Sequence, residues 1–263
     1  MTSSGVTASL RIFPALLVTA ISALLAACGG GSESVSIHSP GGIYEGFVTN
    51  DRAQVTDHVF CAISEFGFGN CEDTDQFNSI ISIDGITSAF EATSDGSFKA
   101  SGIFFDHGCC YAYNNSTMLT FNMQGNVAPR DHASGSAQGE DGTLYTFSLN
   151  YDKTQYENPS SLALLVGNWR GTYNNGGTIT FSIDATGAMS GQDSNGCAHG
   201  GWFRILDGRF NAYGFELDAP GCGNPGGTYG GVAVFYPATS SASAHLNIMA
   251  ANTVGIAGSF DRQ

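Results

Sequence analysis

The sequence predicts an all-β protein built of two antiparallel β domains. Glycine is abundant, with 36 of 263 residues, whereas charged residues make up only 12% of the chain. Apolar and polar residues alternate in short segments that are separated by turn residues, and aromatic and β-branched side chains recur within them. This pattern favours many short strands over helices. For the second domain we expect an eight-stranded up-and-down barrel, with a β-sandwich as the alternative.

Residues 1–27 have the pattern of a secretory signal peptide. Arg11 is their only charged residue, and the apolar run from Ile12 to Ala27 is too short and too rich in alanine for a stable transmembrane span. Small residues stand just before Cys28, where a signal peptidase needs slim side chains. The mature chain is therefore expected to begin at Cys28, and residues 28–40 to form a flexible tether rich in glycine and serine.

The stretch Leu25-Ala26-Ala27-Cys28 resembles the bacterial lipobox. The resemblance implies that the Cys28 sulfur takes a diacylglycerol and that the new amino group is acylated with a chain such as palmitate. Several acyl chains give stable anchoring to a membrane. Gly29 stands where an aspartate would favour the inner membrane, so the resemblance implies the outer membrane. More loosely, the whole chain resembles a group of proteobacterial lipoproteins.

The first domain, residues 41–159, is expected to be an acidic β domain. GIYEG at residues 42–46 echoes GNWRG at residues 167–171, and FEATSDG at 90–96 echoes FSIDATG at 181–187. These echoes suggest a duplicated β domain. The candidate strands are GIYEGFV, HVFCAIS, SIISI, TSAFEA, SFKASGIFF, TMLTFNM, ASGSA and TLYTFSLNY.

The boundary is expected at the segment NPSSLALLVG, residues 158–167. Asn158-Pro159 starts a turn, Ser160 or Ser161 can cap a helix, and the leucines that follow supply one or two helical turns. From Trp169 onward about eight short strands follow, and eight antiparallel strands joined by hairpins can close on themselves. Their sequences are NWRGTY, TITFSID, AMSGQDS, HGGWFRIL, FNAYGFELD, GGVAVFY, AHLNIMA and VGIAGSF.

A short helix leading into Gly167-x-Trp169 resembles the calycin superfamily of lipocalins, avidins and small bacterial protease inhibitors. The resemblance covers residues 160–263 and implies a calycin-like barrel in which Trp169 plugs one end and Arg262, on the last strand, packs over it. The tryptophan-lined pocket of avidins is not matched, because Trp169 and Trp202 are the only tryptophans. Biotin binding is therefore not implied.

Six cysteines remain after the one expected to be lipidated, and an even number in an exported chain indicates disulfides. Cys197 and Cys222 are the only two in the second half, and we expect them to pair. Cys61 and Cys71 flank a glycine-containing loop whose ends can meet. Adjacent Cys109 and Cys110 are left as a vicinal bridge or as two thiols.

The charge is strongly uneven between the halves. Residues 28–159 carry 17 acidic and 4 basic side chains, whereas residues 160–263 carry 6 and 4. An acidic first half argues against nucleic acid as a partner, since phosphates need lysine and arginine. It serves solubility, and it would favour a basic envelope protein as partner.

The sequence predicts no catalytic site, cofactor or metal. No nucleophile elbow, zinc-protease motif or phosphate-binding loop occurs. The dipeptides Asp57-His58, Asp106-His107 and Asp131-His132 are expected to be surface polar pairs, because neighbouring strand residues face opposite sides.

The expected function is that of a lipid-anchored envelope lipoprotein and not of an enzyme. It would act as a binding module, either of the inhibitor or immunity type or for a small ligand. The alternative is a structural outer-membrane component without a soluble ligand.

Overall fold

Two closed β-sheets and two short helices are present in the part of the protein that the structure describes. The structure is a computed structural model and describes residues 40–73, 80–83, 91–92, 96–105, 118–173, 177–219, 227–252 and 255–263. The predicted signal peptide and Cys28 lie outside the described residues, as do Cys109, Cys110 and Cys222. Neither described helix has the length and apolar character that crossing a membrane would need.

The first sheet, called the first ring below, contains nine antiparallel strands. Their order is β4-β3-β2-β1-β9-β8-β7-β6-β5, and β4 also pairs with β6. Because β4 and β5 share one edge of β6, this extra pairing closes the sheet into a ring. The strands are β1 (Gly42–Asn50), β2 (Val55–Ile63), β3 (Gly69–Asp73), β4 (Ile80–Ile83), β5 (Glu91–Ala92), β6 (Ser97–Phe105), β7 (Met118–Ala128), β8 (His132–Gly139) and β9 (Leu144–Tyr151).

The second sheet is a closed barrel of eight antiparallel strands in up-and-down order, β10 to β17. The predicted all-β class and up-and-down barrel are thus confirmed, and the β-sandwich alternative is wrong. Hairpin connections let each strand pair with its neighbour in sequence, and β17 closes on β10. The strands are β10 (Gly167–Tyr173), β11 (Thr178–Ile183), β12 (Ala188–Asp193), β13 (Ala198–Ile205), β14 (Tyr213–Ala219), β15 (Gly227–Tyr236), β16 (His245–Ala251) and β17 (Gly255–Arg262).

Two short helices connect the sheets. The helix α1 (Lys153–Tyr156), which the sequence pattern did not predict, begins after Asp152, whose carboxylate accepts a hydrogen bond from the Gln155 amide. The helix α2 (Leu162–Leu165) is the predicted one. Its N-cap is Ser161, whose hydroxyl accepts from the Ala163 amide. Ser160, the other capping candidate, instead donates its hydroxyl to the Asp207 carbonyl.

Large apolar side chains fill the inside of the second barrel. Alternate residues of each strand face inward, as period-two patterning requires. The buried set combines Trp169, five phenylalanines and two tyrosines from most of the strands with aliphatic residues between them. Its members are Leu165, Trp169, Ile179, Phe181, Ile183, Met189, Phe203, Tyr213, Phe215, Leu217, Tyr229, Ala233, Phe235, Ala244, Leu246, Ile248, Ala250 and Phe260.

Both sheets begin in the same way, which supports the suggested duplication. Tyr44 on β1 donates its hydroxyl to the carbonyl of the residue four positions earlier, and the Trp169 indole on β10 does the same. Gly46 and Gly171 follow two residues later. A Cβ added to either glycine would stand 2.0 Å from a serine carbonyl on the last strand, so only glycine permits this close approach.

The second sequence echo is not part of this correspondence. Its turn glycines, Gly96 and Gly187, both have left-handed backbones. They precede β6 and β12, however, and these strands hold different positions in the two closed sheets. The echo therefore reflects the common glycine requirement of tight turns. Residues 84–90 and 93–95, which hold most of the first copy, lie outside the described residues.

A third core lies between the two closed sheets. The outer faces of β1 and β2 contribute Ile43, Phe60 and Ala62, and the outer faces of the second barrel contribute Val232, Val234 and Met249 among others. Residues 38–263 accordingly form one compact unit. Separating the two halves would expose this apolar surface to water, so each closed sheet stabilises the other.

Candidate functional site

Trp169 closes one end of the second barrel. Its ring is fully buried, its indole N–H donates to the Leu165 carbonyl at 2.8 Å, and Phe235 meets it edge-on. The Arg262 guanidinium lies over the ring, 4.7 Å from its centre, and also donates to the Leu164 carbonyl. The structure thus brings together the two residues that the calycin resemblance selected. The interior behind them holds the buried side chains of the barrel core.

Tyr44 occupies the corresponding end of the first ring. It pairs with Tyr151 on β9 as Trp169 pairs with Arg262 on β17, and its ring meets the Tyr151 ring edge-on at 5.7 Å. Burial raises the pKa of Tyr44 far above its usual value, so the hydroxyl stays protonated as a hydrogen-bond donor. One end of the first ring is therefore closed by an aromatic side chain, as in the second barrel.

The opposite end of the first ring is lined by apolar side chains that stay partly exposed although they face inward. Val48, Met123 and Phe147 pack against the buried interior of the ring yet keep contact with solvent. Val48 and Phe147 are direct neighbours across β1 and β9. We call this group, together with Leu119, the first-ring mouth. Leu119 faces the same side as Gly139, since a Cβ added there would stand 2.9 Å from its side chain.

Small residues line one strand of this mouth. The inward positions of β8 are Ala133, Gly135, Ala137 and Gly139, as the burial of Ala133 within the ring interior indicates. The second barrel has phenylalanine, tyrosine or tryptophan on most of its strands instead. A closed sheet of about eight strands has a narrow interior. Large side chains fill it completely, whereas with small side chains it can hold one small ligand.

Polar contacts hold the rim of the mouth in place. The β1–β2 turn and the β8–β9 turn join through two hydrogen bonds between Asp51 and Leu144, one from each amide. The Arg52 guanidinium lies 3.9 Å from the Asp141 carboxylate, which also accepts hydrogen bonds from Thr143. These contacts connect the two turns, so this side of the mouth is preformed.

The Asp-His dipeptides singled out in the sequence differ in how their two side chains are placed. Asp57 lies on the inner face of β2 with Val59, while His58 points outward and packs edge-on against Phe47 at 5.3 Å, as expected for strand neighbours. Asp131 stands in a turn rather than a strand. Its carboxylate therefore reaches the His132 ring at 2.9 Å, and the expected separation of the two side chains is wrong for this pair. Asp106-His107 lies outside the described residues.

The disulfide between Cys61 and Cys71 is confirmed. The two residues face each other directly across β2 and β3, inside the first ring. Cys197 is also disulfide-bonded, but Cys222 lies outside the described residues, so their pairing stays a prediction. In the described part of the chain no group of three or more histidine, cysteine, aspartate or glutamate side chains is placed to hold a metal.

Sequence reasoning did not find the first-ring mouth. Its residues are ordinary apolar strand residues, and nothing local separates them from a filled core. One signal was available, namely the run of small residues at alternate positions of β8 in ASGSAQG. That run shows that one strand of the ring carries small inward side chains, but only the closed sheet shows which residues they adjoin.

The comparisons with known proteins add weak structural likenesses. No family model matches the chain, and no curated protein matches it. A crystal structure from Bacteroides fragilis NCTC 9343, provisionally named an outer membrane protein, aligns with 87% of this chain and 99% of its own at 10% identity and a TM-score of 0.30. A DUF3598-family protein of unknown function from Nostoc punctiforme PCC 73102 aligns with 89% and 100% at 11% identity and a TM-score of 0.26. Likenesses at this level assign the chain to neither family.

Proposed function

We propose that this protein is a lipid-anchored binding module of the outer membrane, and that its first-ring mouth takes a small apolar ligand. The observation that carries the proposal is the partial exposure of Val48, Met123 and Phe147, although all three face the inside of a closed sheet. When a ligand covers apolar surface that is in contact with water, the complex is stabilised by about 25 cal/mol for each Å² covered. A rim with preformed hydrogen bonds lowers the cost of ordering on binding.

The position of the mouth also supports binding. It lies opposite the end that Tyr44 closes, so a ligand that enters there does not displace Tyr44. Ligand sites commonly combine an apolar lining with a few polar groups at the edge. Here Asp57 lies on the inner face of the ring, and the Asn50 side chain caps the neighbouring turn by accepting from the Arg52 and Ala53 amides.

The anchor is supported by the lipobox resemblance of residues 25–28. The Arg262–Trp169 contact likewise supports the calycin resemblance of residues 160–263. In the proposed arrangement, acyl chains on Cys28 hold the protein at the membrane and residues 29–39 act as the tether. Replacing Cys28 with alanine should release the protein from membranes or leave it unprocessed. A Cys28→Ala protein that still fractionates with membranes contradicts the anchor.

Ligand binding can be tested with N-phenyl-1-naphthylamine, a neutral apolar fluorophore whose emission rises in apolar surroundings. We expect saturable binding to the mature chain. Ala137→Phe places a large ring between Met123 and Tyr145, which flank it on the neighbouring strands, and should weaken binding about tenfold, or about 1.4 kcal/mol. Met123→Gln makes the mouth polar with little change of volume and should weaken binding as well.

The matched control is Thr146→Phe. This substitution adds an aromatic ring to the outer, exposed face of β9, next to the strand that carries Ala137. It should leave the affinity for the fluorophore unchanged. Circular dichroism of each variant checks that the sheet is retained. Equal affinities for Met123→Gln, Thr146→Phe and the parent protein would overturn the proposed site, whatever the result for Cys28.

A further inference from the structure

A second polar arrangement lies in the other sheet, at the end of the second barrel opposite Trp169. Asp193 ends β12 and His199 lies near the start of β13, so the hairpin between them brings the two side chains together. His199 faces inward, since Gly201 and Phe203 follow at alternate positions and Phe203 belongs to the barrel core. The His199 side chain is only 10% exposed.

The hairpin turn fixes the Asp193 carboxylate. Its Oδ1 atom accepts hydrogen bonds from the Asn195 amide at 2.8 Å and the Cys197 amide at 2.9 Å. These bonds, with that of Cys197 the strongest cause, lower the pKa of Asp193 below its usual value. The carboxylate is therefore ionised at neutral pH. The disulfide at Cys197 restrains the same turn.

The remaining oxygen faces His199 without forming a hydrogen bond. Oδ2 of Asp193 lies 3.4 Å from Nε2 of His199, yet neither ring nitrogen of His199 has a hydrogen-bond partner among the described residues, although both are buried. A buried polar group without a partner is costly, and a bound ion or an ordered water is one of the explanations for such a group in a native protein. The exposed pair Asp131 and His132 contrasts with this one, because its atoms meet at 2.9 Å in a hydrogen bond.

We propose that Asp193 Oδ2 and His199 Nε2 bind a divalent transition-metal cation such as Zn²⁺. Zinc holds carboxylate oxygen and imidazole nitrogen at about 2.0–2.1 Å in tetrahedral geometry, which places two such ligands about 3.3 Å apart. The observed 3.4 Å matches this separation and exceeds the usual length of a charge-assisted hydrogen bond, about 2.7–2.9 Å. Imidazole suits zinc, nickel and copper, and zinc also binds carboxylate oxygen.

The site differs from a structural zinc centre. Among the described residues it offers two protein ligands, so water completes the coordination sphere and the affinity is modest. The ionised Asp193 supplies the negative charge that favours a cation over an anion at this end of the barrel. The site lies in the second barrel and is independent of the ligand proposed for the first-ring mouth.

The test is titration of the untagged mature chain, with its disulfides intact, with Zn²⁺ by calorimetry and with Co²⁺ by visible absorption. We expect binding that His199→Gln and Asp193→Asn each weaken at least about tenfold, since even outer-shell changes cost that much. Both variants keep the fold, because asparagine can still accept the turn hydrogen bonds and glutamine is close in size to histidine. Thermal unfolding without metal checks this point.

His132→Gln is the matched control, because it removes a histidine beside an aspartate on the exposed surface. It should leave the Zn²⁺ affinity and the tetrahedral Co²⁺ spectrum unchanged. The proposal is overturned if the parent protein binds neither ion. It is also overturned if His199→Gln binds both ions as the parent does, or if His132→Gln rather than His199→Gln abolishes the signal.

Discussion

The plug of the second barrel gives a prediction whose magnitude follows from the structure. Replacing Trp169 with alanine removes a fully buried ring, the indole hydrogen bond to Leu165 and the surface that Arg262 covers. Truncating a buried tryptophan costs about 3–5 kcal/mol of unfolding free energy. Within that total, the hydrogen bond contributes about 1 kcal/mol and the cation–π contact a similar amount. We expect Trp169→Ala to lower the unfolding free energy by about 4 kcal/mol.

Urea unfolding followed by far-ultraviolet circular dichroism measures this loss, which would lower the midpoint by about 1–2 M. Trp202→Ala is the natural control, because Trp202 is the other tryptophan and its side chain is 53% exposed on the outside of β13. It should change the unfolding free energy by no more than about 0.5 kcal/mol. A loss below about 1 kcal/mol for Trp169→Ala, or equal losses for the two variants, would refute the role of Trp169 as a plug.

Three further predictions concern the halves, the pH dependence and the partner. Residues 160–263 expressed alone should aggregate, or should unfold at a lower temperature than the mature chain in a melting experiment, because the core shared with the first ring is then exposed. A fragment as stable as the whole chain would contradict this. Burial lowers the pKa of His245, whose ring stacks on Tyr236, so the unfolded state binds more protons and stability falls as pH drops below about 6.5. His245→Phe keeps the stacking and should make the denaturation midpoint less dependent on pH between pH 7 and pH 5. A variant with the same pH dependence as the parent protein would rule this out. If a basic envelope protein binds residues 28–159, its association rate in surface plasmon resonance should fall as salt is added, while its dissociation rate changes less. An association rate that does not depend on salt would contradict the charge argument.

Local chemistry made much of the fold predictable. Alternating patterns and turn glycines indicated strands in both halves, and Ser161 with the leucines after it indicated the helix before β10. The Cys61–Cys71 disulfide was predictable because a short loop brings its two ends together whatever the rest of the chain does. The repeated Gly-x-aromatic-x-Gly at residues 42–46 and 167–171 indicated that each sheet begins alike.

The candidate sites depend on contacts that no local pattern contains. The first-ring mouth exists because β4 closes the sheet on β6 and because β1 pairs with β9, which joins residues about a hundred positions apart. Likewise, Asp193 and His199 carry no recognised metal spacing. Only the hairpin geometry, and the inward direction of His199, show that the two side chains meet.

The sequence by itself determined the strand content, the up-and-down order of strands in the second barrel and the aromatic residue at the start of each sheet. These features follow from alternation, turns and local spacing. Only the tertiary structure decided which faces are inside. In β15, Ala233 and Phe235 point into the barrel, whereas Val232 and Val234 point outward into the core shared with the first ring. When both faces of a strand are apolar, alternation cannot distinguish them. Packing of one closed sheet against the other decides the matter, since it gives the second face somewhere to be buried.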